Sequence, residues 1–185
     1  MPIAGVLALQ GDFEAHQRVL AGLGLSSVQV RTAAGLAGCG GLIIPGGEST
    51  TMLKMIGYEN MLEPLREFGR SKPVFGTCAG AILLAREVSN PVQVSLGLMD
   101  ISVERNAYGR QVHSHVARIA IDEEEVEAVF IRAPVIRRVG PSTRVLARFE
   151  GTPVLVDDGL HMAATFHPEL TSSDRVHRLF AARIR

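Results

Sequence analysis

The sequence has no excess of charge of either sign. Lysine plus arginine and aspartate plus glutamate number 19 each, so the formal net charge is zero at pH 7. A chain without a net field is not drawn to nucleic acid or to an acidic membrane surface, and neither is expected as a partner. A small molecule or another protein is expected instead.

Cysteines and long apolar runs are also scarce. The chain contains only two cysteines, Cys39 and Cys78, which are too few for a disulfide framework. No apolar run reaches the roughly 20 residues of a membrane-spanning helix. No basic segment precedes the first apolar run, so a secretory signal is not expected either. These absences predict a cytosolic location, in which a reactive thiol stays reduced.

What the chain does have is the length and hydrophobicity of one folded unit. It contains 185 residues, of which 46% are hydrophobic. That is enough to bury one sizeable core and too little for two comfortable ones. We therefore expect residues 1–185 to form a single domain.

The first half of the sequence alternates between short apolar runs and segments with helical spacing. Strands are predicted at residues 3–9, 28–30, 41–44 and 74–75, and helices at residues 13–23, 52–56 and 61–68. Ser49 or Thr50 is expected to cap the second of these helices. The alternation of strand and helix predicts a parallel sheet with helices on both faces.

The second half consists mainly of short apolar runs separated by turns. These predicted strands lie at residues 101–103, 116–121, 128–131, 145–149, 153–156 and 161–166. Their close spacing predicts antiparallel additions to the sheet, with a hairpin turn at residues 157–159. Residues 175–185 predict a final amphipathic helix. The fold class is therefore α/β, with three layers, a mostly parallel central sheet, helices on both faces and antiparallel strands in the C-terminal half.

A cysteine flanked by glycines follows one of the predicted strands. The strand ending at Phe75 must turn sharply through Gly76 and Gly80 into a helix that starts just after Cys78, which is the pattern of a nucleophile elbow. Unpaired N–H groups at a helix N-terminus favour thiolate and lower the pKa of a cysteine from its free value of roughly 8.5. A lone cysteine is more often a buried structural residue, but the two glycines favour a nucleophile at Cys78.

A nucleophilic cysteine needs a general base, and the chain has six histidines. His167 fits best, because it directly follows a predicted strand and sites in parallel sheets gather at the carboxyl ends of strands. Glu169, two residues on, can orient the imidazole and complete a triad. His161 shares the two-residue period of His167 and remains the rival base. His16 and His177 fall on predicted helices.

A Pro-Gly-Gly turn at residues 45–47 follows another predicted strand. Gly46 and Gly47 allow backbone N–H groups to approach a ligand, and with the N–H of Ala79 they could form an oxyanion hole. Together these elements suit acyl transfer from an amide. The cysteine attacks, the oxyanion is held, and the histidine protonates the departing nitrogen.

Several segments occur together in a recognisable set. They are residues 45–51, 76–80, 105–111, 130–134 and 165–170. The elbow and the His-Pro-Glu ending resemble the class I (triad) glutamine amidotransferases. The Glu-Ser-Thr-Thr, Arg-Asn and Ile-Arg-Ala-Pro stretches resemble, more narrowly, the glutaminase subunits of pyridoxal 5'-phosphate synthases. The resemblance runs essentially end to end and implies a flavodoxin-like fold. Tyr108, His113 and His115 depart from the residue types common in that subfamily.

The resemblance implies a role for individual residues. Cys78 would be the nucleophile, His167 the base and then the acid, and Glu169 the residue that orients the imidazole. Glutamine contacts are implied at Gly46, Gly47, Glu48, Arg105, Ile131 and Arg132. Free glutamine is a zwitterion, so its pocket needs one partner for an ammonium and one for a carboxylate, which Glu48 and the arginines could supply. No metal and no cofactor are expected.

The resemblance also implies a protein partner. L-glutamine would be hydrolysed to L-glutamate and ammonia through a cysteinyl-glutamyl thioester. The ammonia would pass to a (β/α)₈-barrel synthase subunit that makes pyridoxal 5'-phosphate from ribose 5-phosphate and glyceraldehyde 3-phosphate. The implied assembly is a dodecamer of synthase subunits decorated by glutaminase subunits, in which the glutaminase is largely idle until it docks.

Other functions fit part of the pattern. A glutaminase that feeds another synthase, such as that of histidine biosynthesis, would share the triad, but the subfamily stretches argue against it. A redox-sensing or chaperone-like protein of similar fold would oxidise Cys78 instead of acylating it. Such proteins lack the His-Pro-Glu ending, so Glu169 discriminates between the two readings. A purely structural interaction protein would not need glycines on both sides of a cysteine.

Overall fold

The computed structural model of the protein describes residues 2–107 and 114–184. Two of the departures from the subfamily, Tyr108 and His113, lie outside the described residues, as does Arg185. The predicted C-terminal helix of residues 175–185 is shorter than predicted and ends at Ala181. Within the described ranges, no helix combines the length and the apolar character needed to cross a membrane.

Strands and helices follow one another as the sequence predicts in the first half, and strands dominate the second half. The strands are β1 (Ile3–Leu7), β2 (Ser27–Val30), β3 (Cys39–Ile44), β4 (Val74–Thr77), β5 (Ala85–Ser89), β6 (Met99–Glu104), β7 (His115–Ile121), β8 (Glu124–Phe130), β9 (Val135–Val139), β10 (Arg144–Phe149), β11 (Thr152–Asp157) and β12 (Met162–Ala164). The helices are α1 (Phe13–Gly22), α2 (Ser49–Tyr58), α3 (Leu62–Gly69), α4 (Ala79–Leu84) and α5 (Arg175–Ala181), with short 3₁₀ turns at Ala33–Leu36 and Pro168–Leu170.

Seven strands form the central sheet in the order β10-β11-β12-β4-β3-β1-β2. The five strands from β12 to β2 are parallel to their neighbours, and β11 and β10 continue the sheet antiparallel. The inner parallel strands are largely apolar because both of their faces are covered; every residue of β3, for example, is buried, whereas the edge strand β2 exposes Val28 and Gln29. This confirms the predicted mostly parallel sheet.

Helices cover both faces of the sheet, as predicted. On one face α1 and α5 pack through Leu20 and Phe180 into a core shared with the sheet residue Phe75. On the other face α2, α3 and α4 contribute apolar side chains such as Met52 and Leu65 to a second core. The three-layer arrangement leaves the carboxyl ends of β3, β4 and β12 at a common edge, where loops leave the sheet.

The second half of the chain differs in part from the prediction. The hairpin between β11 and β12 forms around residues 157–159 as predicted, and β10 and β11 add to the sheet antiparallel. The strands β5, β6 and β9 instead form a separate three-stranded sheet, and β7 pairs only with β8. Neither β5 nor β9 was predicted: β5 is mostly polar, and two exposed arginines interrupt the apolar residues of β9.

The cap of α2 is also not the predicted one. The N-cap residue is Glu48, whose carboxylate accepts from the backbone N–H groups of Thr50 and Thr51. The prediction of Ser49 or Thr50 was therefore wrong. A glutamate reaches two orphan donors of the first turn at once and adds a negative charge at the positive end of the helix dipole.

Candidate active site

Cys78 lies at the sharp turn between β4 and α4. Its backbone has φ of 49° and ψ of −106°, a combination that a non-glycine residue rarely adopts, and its N–H donates to Ala164 O at 2.8 Å. A Cβ on Gly76 would lie 2.4 Å from Gly80 O, and a Cβ on Gly80 would lie 2.0 Å from Ile44 O. Both flanking glycines are thus required by close backbone contacts, and together they present the cysteine at the edge of the sheet.

His167 and Glu169 follow β12, which is the strand next to β4 in the sheet. His167 Nδ1 lies 2.7 Å from Glu169 Oε1, and the Glu169 side chain is only 1% exposed. Burial acts to lower the pKa of His167, but hydrogen bonds with Cys78 and Glu169 and their negative charges outweigh it and raise that pKa to about 10. The parallel pairing of β4 with β12 therefore brings the three predicted triad residues together.

The loop after β3 closes over this group. A Cβ on Gly46 would lie 2.4 Å from His167 Cε1 and 3.2 Å from Cys78 Cβ. Ala79 begins α4, so its N–H has no acceptor within the helix. The next residue of the loop, Gly47, packs against Gln10, whose Oε1 accepts from the N–H of Glu48 at 2.9 Å.

His161 does not lie near Cys78. Its Nδ1 accepts from the N–H of Val74 at 3.1 Å, which places it at the amino end of β4, whereas Cys78 follows the carboxyl end. Four residues of extended strand separate the two positions by roughly 13 Å. His161 lines a different cleft, of about 510 Å³, together with Arg66 and Arg70. Geometry therefore removes it as a rival base.

A cleft of about 320 Å³ opens beside the cysteine. Its walls include eight of the predicted site residues, namely Gly47, Glu48, Cys78, Ala79, Arg105, Ile131, Arg132 and His167. Gly46 contacts His167 and Cys78 but does not line this cleft. Among the described residues, no group of three or more His, Cys, Asp or Glu side chains could hold a metal ion.

The polar groups of the cleft pair with one another. Arg105 Nη2 donates to Thr50 Oγ1 at 2.8 Å and lies 3.5 Å from Glu48 Oε1. Partial burial tends to raise the pKa of Glu48, but hydrogen bonds from Thr51 and Thr50 lower it to about 2. The cleft thus presents a fixed carboxylate next to a guanidinium, which is the pair that a zwitterionic ligand requires.

Another part of the cleft wall comes from the segment after β8. The carbonyl oxygen of Ile131 lies 3.8 Å from Cys78 Sγ. Arg132 has φ of 46°, a left-handed conformation, and its side chain is exposed. This turn directs a main-chain carbonyl at the sulfur and leaves the arginine at the rim of the cleft.

Sequence reasoning missed the groups that lie behind the triad. His16 on α1 and His177 on α5 are fully buried, and His16 Nε2 lies 3.5 Å from Glu169 Oε2. The available signal was the position of His16 on the apolar face of its helix, next to Ala15 and four residues before Leu20. A titratable side chain on an apolar face needs a buried polar partner, but periodicity does not reveal which one.

Comparison with known proteins gives consistent matches. The model of a family described as the SNO glutamine amidotransferase family matches residues 6–185. A protein of Solibacter usitatus named pyridoxal 5'-phosphate synthase subunit PdxT is 53% identical over 192 residues, covering 100% of both chains. A protein of the same name from Koribacter versatilis is 54% identical over 183 residues, covering 98% of this chain and 95% of its own.

Solved structures agree with these relatives. A crystal structure described as a glutamine amidotransferase superposes with a TM-score of 0.92 at 45% identity, covering 98% of each chain. The structure of PurLQS from Thermotoga maritima gives a TM-score of 0.77 at 14% identity, covering 100% of this chain and 99% of that one. At such low identity the second match supports the fold alone.

Proposed function

The chain belongs to the SNO glutamine amidotransferase family, and we propose that it hydrolyses L-glutamine to L-glutamate and ammonia for pyridoxal 5'-phosphate synthesis, with Cys78 as its nucleophile. The observation that carries the assignment of residues is the hydrogen bond of 2.7 Å between His167 and Glu169 beside the strained cysteine. A redox-sensing thiol needs no such oriented base, so this bond favours hydrolysis over the oxidation alternative.

In the first half of the reaction, His167 holds the thiol proton as an imidazolium and the Cys78 sulfur attacks the side-chain amide carbon of glutamine. The N–H groups of Ala79 and Gly47 stabilise the oxyanion of the tetrahedral intermediate. His167 then gives its proton to the amide nitrogen, which leaves as ammonia while a cysteinyl-glutamyl thioester remains.

In the second half, water attacks the thioester and His167 accepts its proton. Collapse of the second tetrahedral intermediate releases L-glutamate, and the sulfur recovers its proton from the imidazolium. Glu169 holds the imidazole with Nε2 toward the sulfur throughout and stabilises its positive charge. The balance is one glutamine and one water in, and one glutamate and one ammonia out.

Recognition of glutamine is assigned to the charged wall of the cleft. Glu48 accepts from the α-ammonium group, and Arg105 and Arg132 bind the α-carboxylate. Backbone groups of Gly46, Gly47 and Ile131 complete the site. The fixed carboxylate of Glu48 next to Arg105 supports this division, because each group would meet the opposite charge of the zwitterion.

The ammonia is used by a separate subunit in this proposal. The relatives' name describes a subunit of pyridoxal 5'-phosphate synthase, which supports a second subunit that carries out the synthesis. We assign that role to a (β/α)₈-barrel protein in a dodecameric core, with each glutaminase as one domain of residues 1–185. A cytoplasmic location fits a nucleophile that must stay reduced.

The test is glutamate release from L-glutamine by the purified chain, with and without the synthase subunit. Wild-type activity that rises with the partner, and that is lost in Cys78→Ala and His167→Asn, supports the proposal. Cys39→Ala is the matched control, because Cys39 is the other cysteine and is buried in β3 away from the cleft. Full activity in Cys78→Ala would assign the nucleophile to another residue.

A further inference from the structure

A chain of buried polar side chains continues inward from the triad. His16 on α1, His177 on α5 and Thr77 on β4 are all fully buried behind Glu169. They come from three elements that meet at the sheet face covered by α1 and α5. None of them lines the cleft, so none can contact glutamine.

Short distances connect these groups to one another and to the triad. Glu169 Oε1 lies 2.7 Å from His167 Nδ1, and Glu169 Oε2 lies 3.5 Å from His16 Nε2. His16 Nε2 is also 3.3 Å from Thr77 Oγ1, and His16 Nδ1 is 2.9 Å from His177 Nε2. Oε2 of Glu169 has no partner at ordinary hydrogen-bond length among the described residues, and His16 Nε2 lies just beyond that length, at 3.5 Å.

Burial favours the neutral form of both imidazoles. Burial holds the pKa of His16 well below its usual value, and the neighbouring His177 and His167 lower it further. Burial also lowers the pKa of His177 to about 4, although the nearby Asp174 acts in the opposite direction. Each ring therefore carries a single N–H, and the direction of the chain depends on which nitrogen holds it.

Only one arrangement of these protons satisfies the carboxylate. If His16 carries its proton on Nε2, it donates toward Glu169 Oε2 and Thr77 Oγ1, while its Nδ1 accepts from His177 Nε2–H. The opposite arrangement turns the Nε2 lone pair toward a buried carboxylate. It also leaves an N–H at His177 Nδ1, an atom with no partner among the described residues. A buried donor without an acceptor and a lone pair facing an anion are both costly.

We propose that His16 is a positioning residue of the glutaminase, which holds the second oxygen of Glu169 through its Nε2–H so that the first oxygen stays aligned with His167. His177 fixes the tautomer of His16 by donating to its Nδ1. This role rests on the proposed function, in which Glu169 orients the general base. Because the donor is neutral, it orients the carboxylate without cancelling the negative charge that the imidazolium of His167 needs.

The variants His16→Gln and His16→Leu separate positioning from packing. Glutamine can place an N–H donor near the position of the imidazole Nε2, whereas leucine fills the space without a donor. We expect His16→Leu to lower kcat/KM by about 10- to 100-fold, mainly through kcat, and His16→Gln to recover most of that loss. Equal losses in the two variants, or no loss in His16→Leu, would overturn the role.

A second readout does not require glutamine. Alkylation of Cys78 by iodoacetamide, followed on its peptide by mass spectrometry, reports thiolate as a function of pH. In His16→Leu the midpoint is expected to move to higher pH, because a mobile Glu169 stabilises the imidazolium beside the sulfur less well. His161→Leu is the matched control, since it removes another buried histidine whose loss affects stability but not the triad. The same shift in both variants would indicate a general loosening and contradict positioning.

The third measurement uses the unmodified chain. Nitrogen chemical shifts of ¹⁵N-histidine-labelled wild-type protein distinguish the tautomers of buried imidazoles. We expect Nε2–H on both His16 and His177; Nδ1–H on His16 would overturn the proposal even if His16→Leu failed to fold. If the wild type releases no glutamate with its synthase subunit, the proposed function fails, while the shifts still decide whether His16 donates to Glu169.

Discussion

Gly46 packs so closely against His167 that a single added carbon on the glycine would lie 2.4 Å from Cε1 of the imidazole. The same carbon would lie 3.1 Å from Nδ1, the nitrogen that faces Glu169. The glycine loop and the base are therefore in direct contact, and the space between them is set by the absence of a side chain. The position of the His167 imidazole therefore depends on the lack of a side chain at Gly46.

Gly46→Ala is expected to displace the imidazole and lower kcat/KM by about 100-fold or more, because a shift of roughly 1 Å at a reacting group has that effect. The measurement is glutamate release in the presence of the synthase subunit. Gly57→Ala is the matched control, since Gly57 lies on α2 with no atom within 4 Å of an added Cβ. Activity of Gly46→Ala close to wild type would show that the base tolerates the displacement.

Glu48 caps α2 and is also assigned to the glutamine ammonium, and one substitution can separate these two roles. Glu48→Gln keeps one oxygen, which can accept from the N–H group of either Thr50 or Thr51, but removes the charge assigned to the glutamine ammonium. We expect KM for glutamine to rise about tenfold or more, while stability falls by less than about 1 kcal/mol. Steady-state kinetics and urea unfolding measure the two effects.

The control for Glu48 lies at the other end of the same helix. Glu59 is the exposed C-cap residue of α2, and Glu59→Gln removes an equal charge away from the cleft. Its KM should equal that of the wild type. An unchanged KM in Glu48→Gln would restrict Glu48 to helix capping.

The site residues that could be predicted are those whose sequence pattern lies within a few consecutive residues. The glycines around Cys78 and the two-residue spacing of His167 and Glu169 are each contained in a few consecutive residues. The strands β1, β3 and β4 carry nearly continuous apolar runs, so their order along the chain and their burial followed from the apolar pattern; β2 is short and exposes Val28 and Gln29. Parallel pairing then placed their carboxyl ends at one edge.

What could not be predicted depends on contacts between distant parts of the chain. The contact of His16 with Glu169 joins α1 to the turn after β12, and the periodicity of α1 does not specify the partner. The separate sheet of β5, β6 and β9 depends on which edges remain free after the central sheet forms. The N-cap at Glu48 departs from the usual preference because its longer side chain folds back on the helix.

Stability at mildly acidic pH should depend on His177. Its pKa is lowered to about 4 in the folded chain by burial, against roughly 6.5 when unfolded. Between these values the unfolded chain takes up a proton that the folded chain does not, so stability is lost as pH falls from 6.5 to 4. The contribution of this residue alone is about 3 kcal/mol.

His177→Gln tests this because it keeps an N–H donor and removes the titration. Urea unfolding of wild type and variant at several pH values gives the difference in free energy of unfolding. At pH 7 both the imidazole and the amide are neutral, so the difference in free energy of unfolding at that pH serves as the reference for the lower pH values. We expect the free energy of unfolding of the wild type to fall progressively below pH 6.5 relative to that of His177→Gln. If the difference between the two free energies stays constant down to pH 4.5, His177 has the same pKa in the folded and the unfolded chain.

Asp157 anchors the C-terminal end of the chain to β11. Its side chain is 1% exposed, and its two oxygens accept from Arg183 at 2.7 Å and from Arg144 at 2.6 Å. Burial acts to raise the pKa of Asp157, but the hydrogen bonds from Arg183, Gly159 and Arg144 lower it to about 2. Loss of the carboxylate charge would leave Arg183, itself only 19% exposed, without its charged partner; its Nε would still donate to Leu179 O at 3.3 Å.

Asp157→Asn should therefore lower the free energy of unfolding at pH 7 by about 2–4 kcal/mol, because it removes one partner of a largely buried ion pair. Arg144→Gln is the control, since its side chain is 72% exposed and its loss should cost less than about 1 kcal/mol. A group with a depressed pKa stabilises above its unfolded value of roughly 3.9 and loses that effect as pH falls toward 2. The gap between wild type and Asp157→Asn in urea unfolding should thus narrow below pH 4, and a gap that persists at pH 2 would assign it to packing and not to charge.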